Sequence, residues 1–149
     1  MRRWISLLIL LAATSAMVRP AFSQAMSKQT DSLYKRLGGY DAIAAVTDDL
    51  LGHLDPQLSK FFVGFNNESK TRIRQHFIDF LCKASGGPCA YMGQDMKTAH
   101  AGINITEQDW AASVKDLQAT LDKFKVPERE RSEVLNLVSS LKGDIVHGM

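Results

Sequence analysis

Beyond Met26 the apolar residues recur every three or four positions and never alternate over the length of a strand, which leaves an all-α domain as the fold class. Glycine and proline supply the breaks. Ile43, Val46, Leu50, Leu51 and Leu54 share one stripe of a helix that follows Gly38-Gly39; Asp41 is its expected cap, and Asp55-Pro56 closes it. A short connection carrying Phe61-Phe62 leads to a helix from about Glu68 to Ser85. Its apolar face is Ile73, Phe77, Phe80, Leu81 and Ala84, with Cys82 roughly opposite, and Gly86-Gly87-Pro88 stops it. The stretch from Ala90 to Asn104 is irregular, with a short helix expected around Asp95 to Ala101. Thr106, with Asp109 three residues on, approximates a capping box ahead of Trp110, Val114, Leu117, Leu121 and Phe124. Pro127 suits the first turn of one last helix that turns Val134, Leu135, Val138, Leu141 and Ile145 inward. About five helices in one domain are expected, because 149 residues at 45% apolar content suffice for a single core.

The first 25 residues are of another kind. Arg2 and Arg3 precede an apolar run from Trp4 to Ala13, and small residues with Pro20 follow, which is the order of a secretory signal. Cleavage after Ser23 and cleavage after Ala25 both satisfy the small-residue rule, and an uncleaved anchor shares most of the pattern. The expectation is a signal peptide over residues 1–25 and an exported product, periplasmic or secreted, with no membrane attachment once it is cut. Loss of Arg2, Arg3 and Arg19 takes Lys plus Arg from 18 to 15 against 16 Asp plus Glu, so the formal charge passes from +2 to −1. Nucleic acid is then not an implied partner.

Export would place Cys82 and Cys89 where a disulfide persists, so a bridge and two free thiols both stay open. No CxxCH haem-attachment motif is present, and two cysteines are too few for a zinc site by themselves.

Four histidines are the groups a packed core would not ask for. His53 sits beside Gly52 at a helix end, where a cationic or solvated imidazole is at home. His147 lies two residues from the C-terminus and is expected to fray. His100 stands in Met96-Lys97-Thr98-Ala99-His100-Ala101-Gly102-Ile103, with small neighbours on both sides that would let a large flat group approach; taken alone it reads equally as a buried histidine bonded to a backbone carbonyl.

The strings LYKRLGGYDAI, DPQLSKFFVG, FLCKASGGPCAYMGQDMKTAHAGI and VPERERSEVLNLVSSLKGDI occur in that order. Together they resemble the group I truncated haemoglobin family over nearly all of Leu33 to Val146. The resemblance implies a globin domain over residues 26–149, a two-over-two helical sandwich around haem b, with His100 as proximal iron ligand and Phe62 wedged against the porphyrin. A neutral imidazole ligates iron through one nitrogen while the other donates to a carbonyl that fixes the ring. Tyr91 and Met96 match family positions near the proximal turn and read as packing and positioning groups. Lys97 is placed to reach a haem propionate or simply to be solvated.

On the distal side the chain departs from the family. Members commonly carry a tyrosine directly after a phenylalanine on the first main helix, a donor to bound dioxygen; here that pair is Leu50-Leu51. Aligned backwards from Gly86-Gly87, Ile73 and Phe77 occupy the two positions where glutamines are frequent. His76 is then the remaining donor or ligand near the pocket, at the edge of the apolar stripe, free to face the iron or water.

The leading reading is a haem protein that binds a diatomic gas, oxygen or nitric oxide, in a mostly apolar distal pocket. A second is a haem redox enzyme that dioxygenates nitric oxide, reduces nitrite or turns over peroxide, with a reductase as partner. A third is electron transfer by bis-histidyl haem if His76 binds iron. A haem-free helical interaction module is the outsider.

Overall fold

Among residues 31–148, which the computed structural model of the chain describes, the regular elements are all helical. They are α1 (Leu33–Arg36), α2 (Tyr40–Gly52), α3 (Pro56–Ser59), which runs into a 3-10 turn (Lys60–Phe62), α4 (Asn67–Ala84), α5 (Met96–Ala99), α6 (Glu107–Lys123), α7 (Glu128–Ser139) and α8 (Lys142–Ile145). The signal peptide expected over residues 1–25 lies outside the described residues.

The chain starts and stops these helices largely with its own side chains. Asp55, Asn66 and Asp95 each accept a backbone N–H of the first turn of α3, α4 and α5. Thr106 and Asp109 complete the expected capping box at the head of α6. Asp41 does not cap α2. Gly39 holds that position at φ 83°, a conformation that favours glycine, and Asp41 sits in the first turn, where its charge suits the helix dipole. Pro127 precedes α7 as its N-cap residue, and the single last helix expected from the sequence breaks after Ser139 into α7 and α8.

The four long helices pair as α2 against α4 and α6 against α7, and the pairs join where α2 crosses α6. Ile43, Ile78 and Cys82 form one buried cluster between α2 and α4; Leu117, Leu121 and Val134 form the other, between α6 and α7. Each such side chain taken out of water contributes roughly 1.5–3 kcal/mol before entropy is counted. Arg36 ties α1 to α7, its Nε donating to Glu130 at 2.9 Å and its guanidinium also bonding Glu133. Thr47, fully buried on α2, has a hydroxyl with no hydrogen-bond partner.

Cys82 corrects the sequence reading. Far from lying opposite the packed face, it is fully buried, while Ala84, placed on that face, is exposed. The reason is that α4 is covered twice: Ile78 and Cys82 face α2, and Ile73, Phe77 and Phe80 turn to the cavity described below. Cys82 is bridged to Cys89, with the two Cα atoms 5.8 Å apart. Closing so short a loop removes unfolded-chain entropy worth about 2.5 kcal/mol. Gly87 lets the chain pass, since a Cβ there would lie 2.6 Å from both Cys82 Sγ and a ring carbon of Tyr34.

The C-terminal end does not fray as expected. The backbone N–H groups of His147 and Gly148 donate to the carbonyl of Ile105 at 3.1 and 2.9 Å, and α8 packs on α5. Phe124, expected inward, ends α6 at 41% exposure.

Candidate functional site

The elements enclose a cavity of about 390 Å³. Leu50 and Leu51 enter it from α2, Leu54 from the connection that follows, Leu58 from α3, Phe61 and Phe62 from the 3-10 turn, and Ile73, Phe77, Phe80 and Leu81 from α4. Trp110 and Leu117 of α6, Val138 of α7, Leu141 between α7 and α8, and Ile145 of α8 close the far side. Phe62, expected in a short connection, stands at the end of the 3-10 turn, and its ring meets Phe65 edge-on at 5.8 Å.

Two imidazoles border this apolar space. His100 follows the last residue of α5, and its Nδ1 lies 2.8 Å from the carbonyl of Met96. A carbonyl oxygen only accepts, so Nδ1 carries a proton, and in the neutral ring the lone pair is then on Nε2. Of the two small neighbours of His100, Ala99 lines the cavity with it and Ala101 is exposed. His76 of α4 borders the cavity too, and it also borders an outer hollow lined by Asn67, Thr71, Arg72 and Gln75. Tyr91 packs edge-on against His76 at 6.0 Å and against Phe80 at 5.4 Å, while its hydroxyl donates to the carbonyl of Gln94 at 2.7 Å. Burial raises the Tyr91 phenol above its ordinary value, helped by the charge of Asp95.

A family model for bacterial-like globins matches residues 32–147. The chain belongs to the bacterial-like globin family. Within it, the chain is 30% identical over 141 residues to a Group 1 truncated hemoglobin of Chlamydomonas moewusii, covering 91% of this chain and 81% of that protein. It is 30% identical over 118 residues to a Group 1 truncated hemoglobin from a Nostoc species, covering 78% and 98%. The crystal structure of the truncated hemoglobin of Tetrahymena pyriformis, in its Fe(III) form, superposes with a TM-score of 0.70 at 26% identity, covering 78% and 98%. The 2/2 hemoglobin of a Synechococcus species, solved in the cyanomet state with covalently attached heme, gives 0.70 at 27%, with the same coverage.

The globin fold brings together almost every residue picked from the sequence: Leu51, Phe62, Ile73, His76, Phe77, Tyr91, Met96 and His100 all border the cavity. Lys97 does not; it is exposed on α5. His53 is exposed at the end of α2, its Nδ1 donating to the carbonyl of Asp49 at 3.0 Å.

Other wall residues were read only as core. Trp110, Leu117, Val138, Leu141 and Ile145 lay on predicted apolar faces, and nothing local distinguishes a face that meets another helix from one that meets a cavity. Asp109 was read as a cap and no more. It is buried at the cavity wall, where Lys60 Nζ (2.7 Å) and Gln57 Nε2 (2.8 Å) donate to one carboxylate oxygen and Thr106 to the other. Lys60, then Gln57, hold that carboxyl well below the usual range. Lys60 also lies over the Phe61 ring, 4.8 Å from its centroid, so one side chain ties the aromatic turn to α6.

Proposed function

We propose that this globin binds haem b in the cavity, with Nε2 of His100 as proximal iron ligand and a diatomic gas, oxygen or nitric oxide, as its partner on the opposite side. The tautomer of His100 carries the reading: a neutral imidazole, its Nδ1–H taken by the Met96 carbonyl, presents one free nitrogen to an apolar space. The donor set fits the cofactor, since nitrogen ligation and apolar, aromatic walls are what a porphyrin requires of its site. Haem would supply a redox-active iron able to bind a diatomic gas. Phe62 would pack against the bound group, and Met96 and Ala99 would line the cavity beside His100. The covalent heme attachment belongs to the Synechococcus structure and is not carried over to this chain.

On the opposite side Leu51, Ile73 and Phe77 would line the gas pocket with side chains that donate no hydrogen bond. A donor to bound dioxygen is worth roughly 1.5–3 kcal/mol, so this pocket releases oxygen faster than a tyrosine-bearing relative unless His76 donates. The position of His76 on the same cavity favours a second reading, bis-histidyl ligation suited to electron transfer or to a haem redox enzyme served by a reductase. Absorption spectra of the ferric and ferrous protein, with and without carbon monoxide, separate them. A Soret band lost or shifted in His100→Ala supports the proximal assignment; an unchanged band in that variant overturns it. Coordination and oxygen release unaffected by His76→Ala remove the second reading and the donor role together.

The cavity serves a protein we place outside the cytoplasm. The run from Arg2 to Ala25 and the Cys82–Cys89 bridge, which oxidising compartments preserve, support export. N-terminal sequencing of the secreted or periplasmic fraction tests it: a mature chain beginning at Gln24 or Met26 is expected, and an intact Met1 in a cytoplasmic product refutes it.

A further inference from the structure

His76 is held differently from the other histidines. The rings of His53, His100 and His147 each donate to a backbone carbonyl four or three residues back. Among the described residues the imidazole of His76 has no such bond; its neighbour is the edge-on ring of Tyr91. His76 borders the cavity and the outer hollow alike, and Tyr91 is the ring packed against it.

Tyr91 is itself fixed from two directions. Its hydroxyl is bound by the Gln94 carbonyl, and its backbone lies two residues beyond Cys89, which is bridged to Cys82 in the core of α4. Two extended residues span at most about 7 Å, so the closed bridge keeps the Tyr91 ring within reach of α4. His76 and Phe80, the two rings it touches, stand on that same helix.

We infer that Tyr91, anchored by the Cys82–Cys89 bridge, is a positioning residue for His76, and that opening the bridge frees the imidazole to turn from the cavity to solvent. The consequence for a sixth ligand rests on the haem reading above; the motion of His76 does not. A small dithiol would open the bridge from the Cys89 side, because Cys82 is fully buried. One thiolate attacks the Cys89 sulfur and releases the Cys82 thiolate, the reagent's second thiol then displaces Cys89, and two electrons and two protons end on the cysteines while the reagent closes its own disulfide.

The test is carbethoxylation of the haem-loaded full-length protein with diethyl pyrocarbonate, followed residue by residue by mass spectrometry, alongside absorption spectra. Cys89→Ser, Tyr91→Ala and dithiol-treated wild type should each raise the modification rate of His76 by about two- to twelve-fold, the range one aromatic pair supports. His53 and His100 should stay at their wild-type rates. Tyr91→Phe, which keeps the ring and the bridge, should restore slow modification, and any six-coordinate spectral fraction should fall with the same variants. An unchanged His76 rate in Tyr91→Ala and in dithiol-treated protein overturns the inference, as does a rise shared equally by His100, whether or not Cys89→Ser folds. A selective His76 response in protein that shows no Soret band upholds the positioning role and rejects the haem reading. A normal Soret band with no response rejects the positioning role alone.

Discussion

The Nδ1–H of His100 donates to the carbonyl of Met96 at 2.8 Å, so the residue that opens α5 fixes the tautomer of the residue that follows its end. The acceptor is backbone, which no substitution at Met96 removes; only the imidazole itself can be taken away. In His100→Gly the proposed haem site should lose affinity by more than about a hundred-fold, beyond what loss of an outer-shell partner costs. Added imidazole should restore part of the Soret band in an equilibrium titration. Haem binding as tight as in wild type, without imidazole, would refute the assignment.

Leu51 borders the cavity where a relative with tyrosine would offer a hydroxyl. In Leu51→Tyr, on the haem-loaded protein, oxygen dissociation measured by stopped flow should slow by about ten- to a hundred-fold, the worth of one hydrogen bond to a partly charged oxygen. A rate that stays at the wild-type value would mean that the pocket already supplies a donor, and His76 would be that donor.

How far the sequence revealed this site depends on what each residue needed to be recognised. Thr106 and Asp109 declare a helix start because capping is a local affair of three residues. The second duty of Asp109, receiving Lys60 and Gln57 about fifty positions earlier, follows no spacing rule and required the packed chain. Cys82 was misread for a related reason: a single apolar stripe cannot describe α4, which faces another helix and a cavity at once. The break between α7 and α8 was missed because Leu141 and Ile145 keep the helical period across it. His100, Phe62 and the distal residues were found only because a chain-long resemblance supplied the context that a lone histidine lacks.

The carboxyl of Asp109 is lowered from an ordinary value of 3.8, chiefly by Lys60 and then by Gln57. A folded-state value below the unfolded one contributes stability that is present above that ordinary value and is lost as pH falls through the lowered one. Thermal melting followed from pH 7 down to pH 2 should therefore show a steepening loss below about pH 4. Asp109→Asn should melt lower at neutral pH and lose part of that acid dependence. Identical pH profiles for the two proteins would show that the carboxylate contributes nothing to acid sensitivity.

Thr47 is a case where removing a polar atom should help. Its hydroxyl is buried without a partner, and an unsatisfied donor costs roughly 1–3 kcal/mol. Thr47→Val keeps the branched shape, and the midpoint of urea unfolding should rise with an unchanged m-value. A fall of the midpoint would show that the hydroxyl is bonded after all.

The pairing of His147 and Gly148 with the Ile105 carbonyl, and of α8 with α5, bears on how the protein can be handled. The last described residues form a clasp on the segment that follows His100, and the stretch from Leu141 to Ile145 puts both of those side chains into the cavity wall. An affinity tag or reporter fused at the C-terminal end would pull on that clasp, and trimming back to Ser139 would open the pocket floor. Fusions meant to leave ligand chemistry undisturbed belong at the other terminus of the domain.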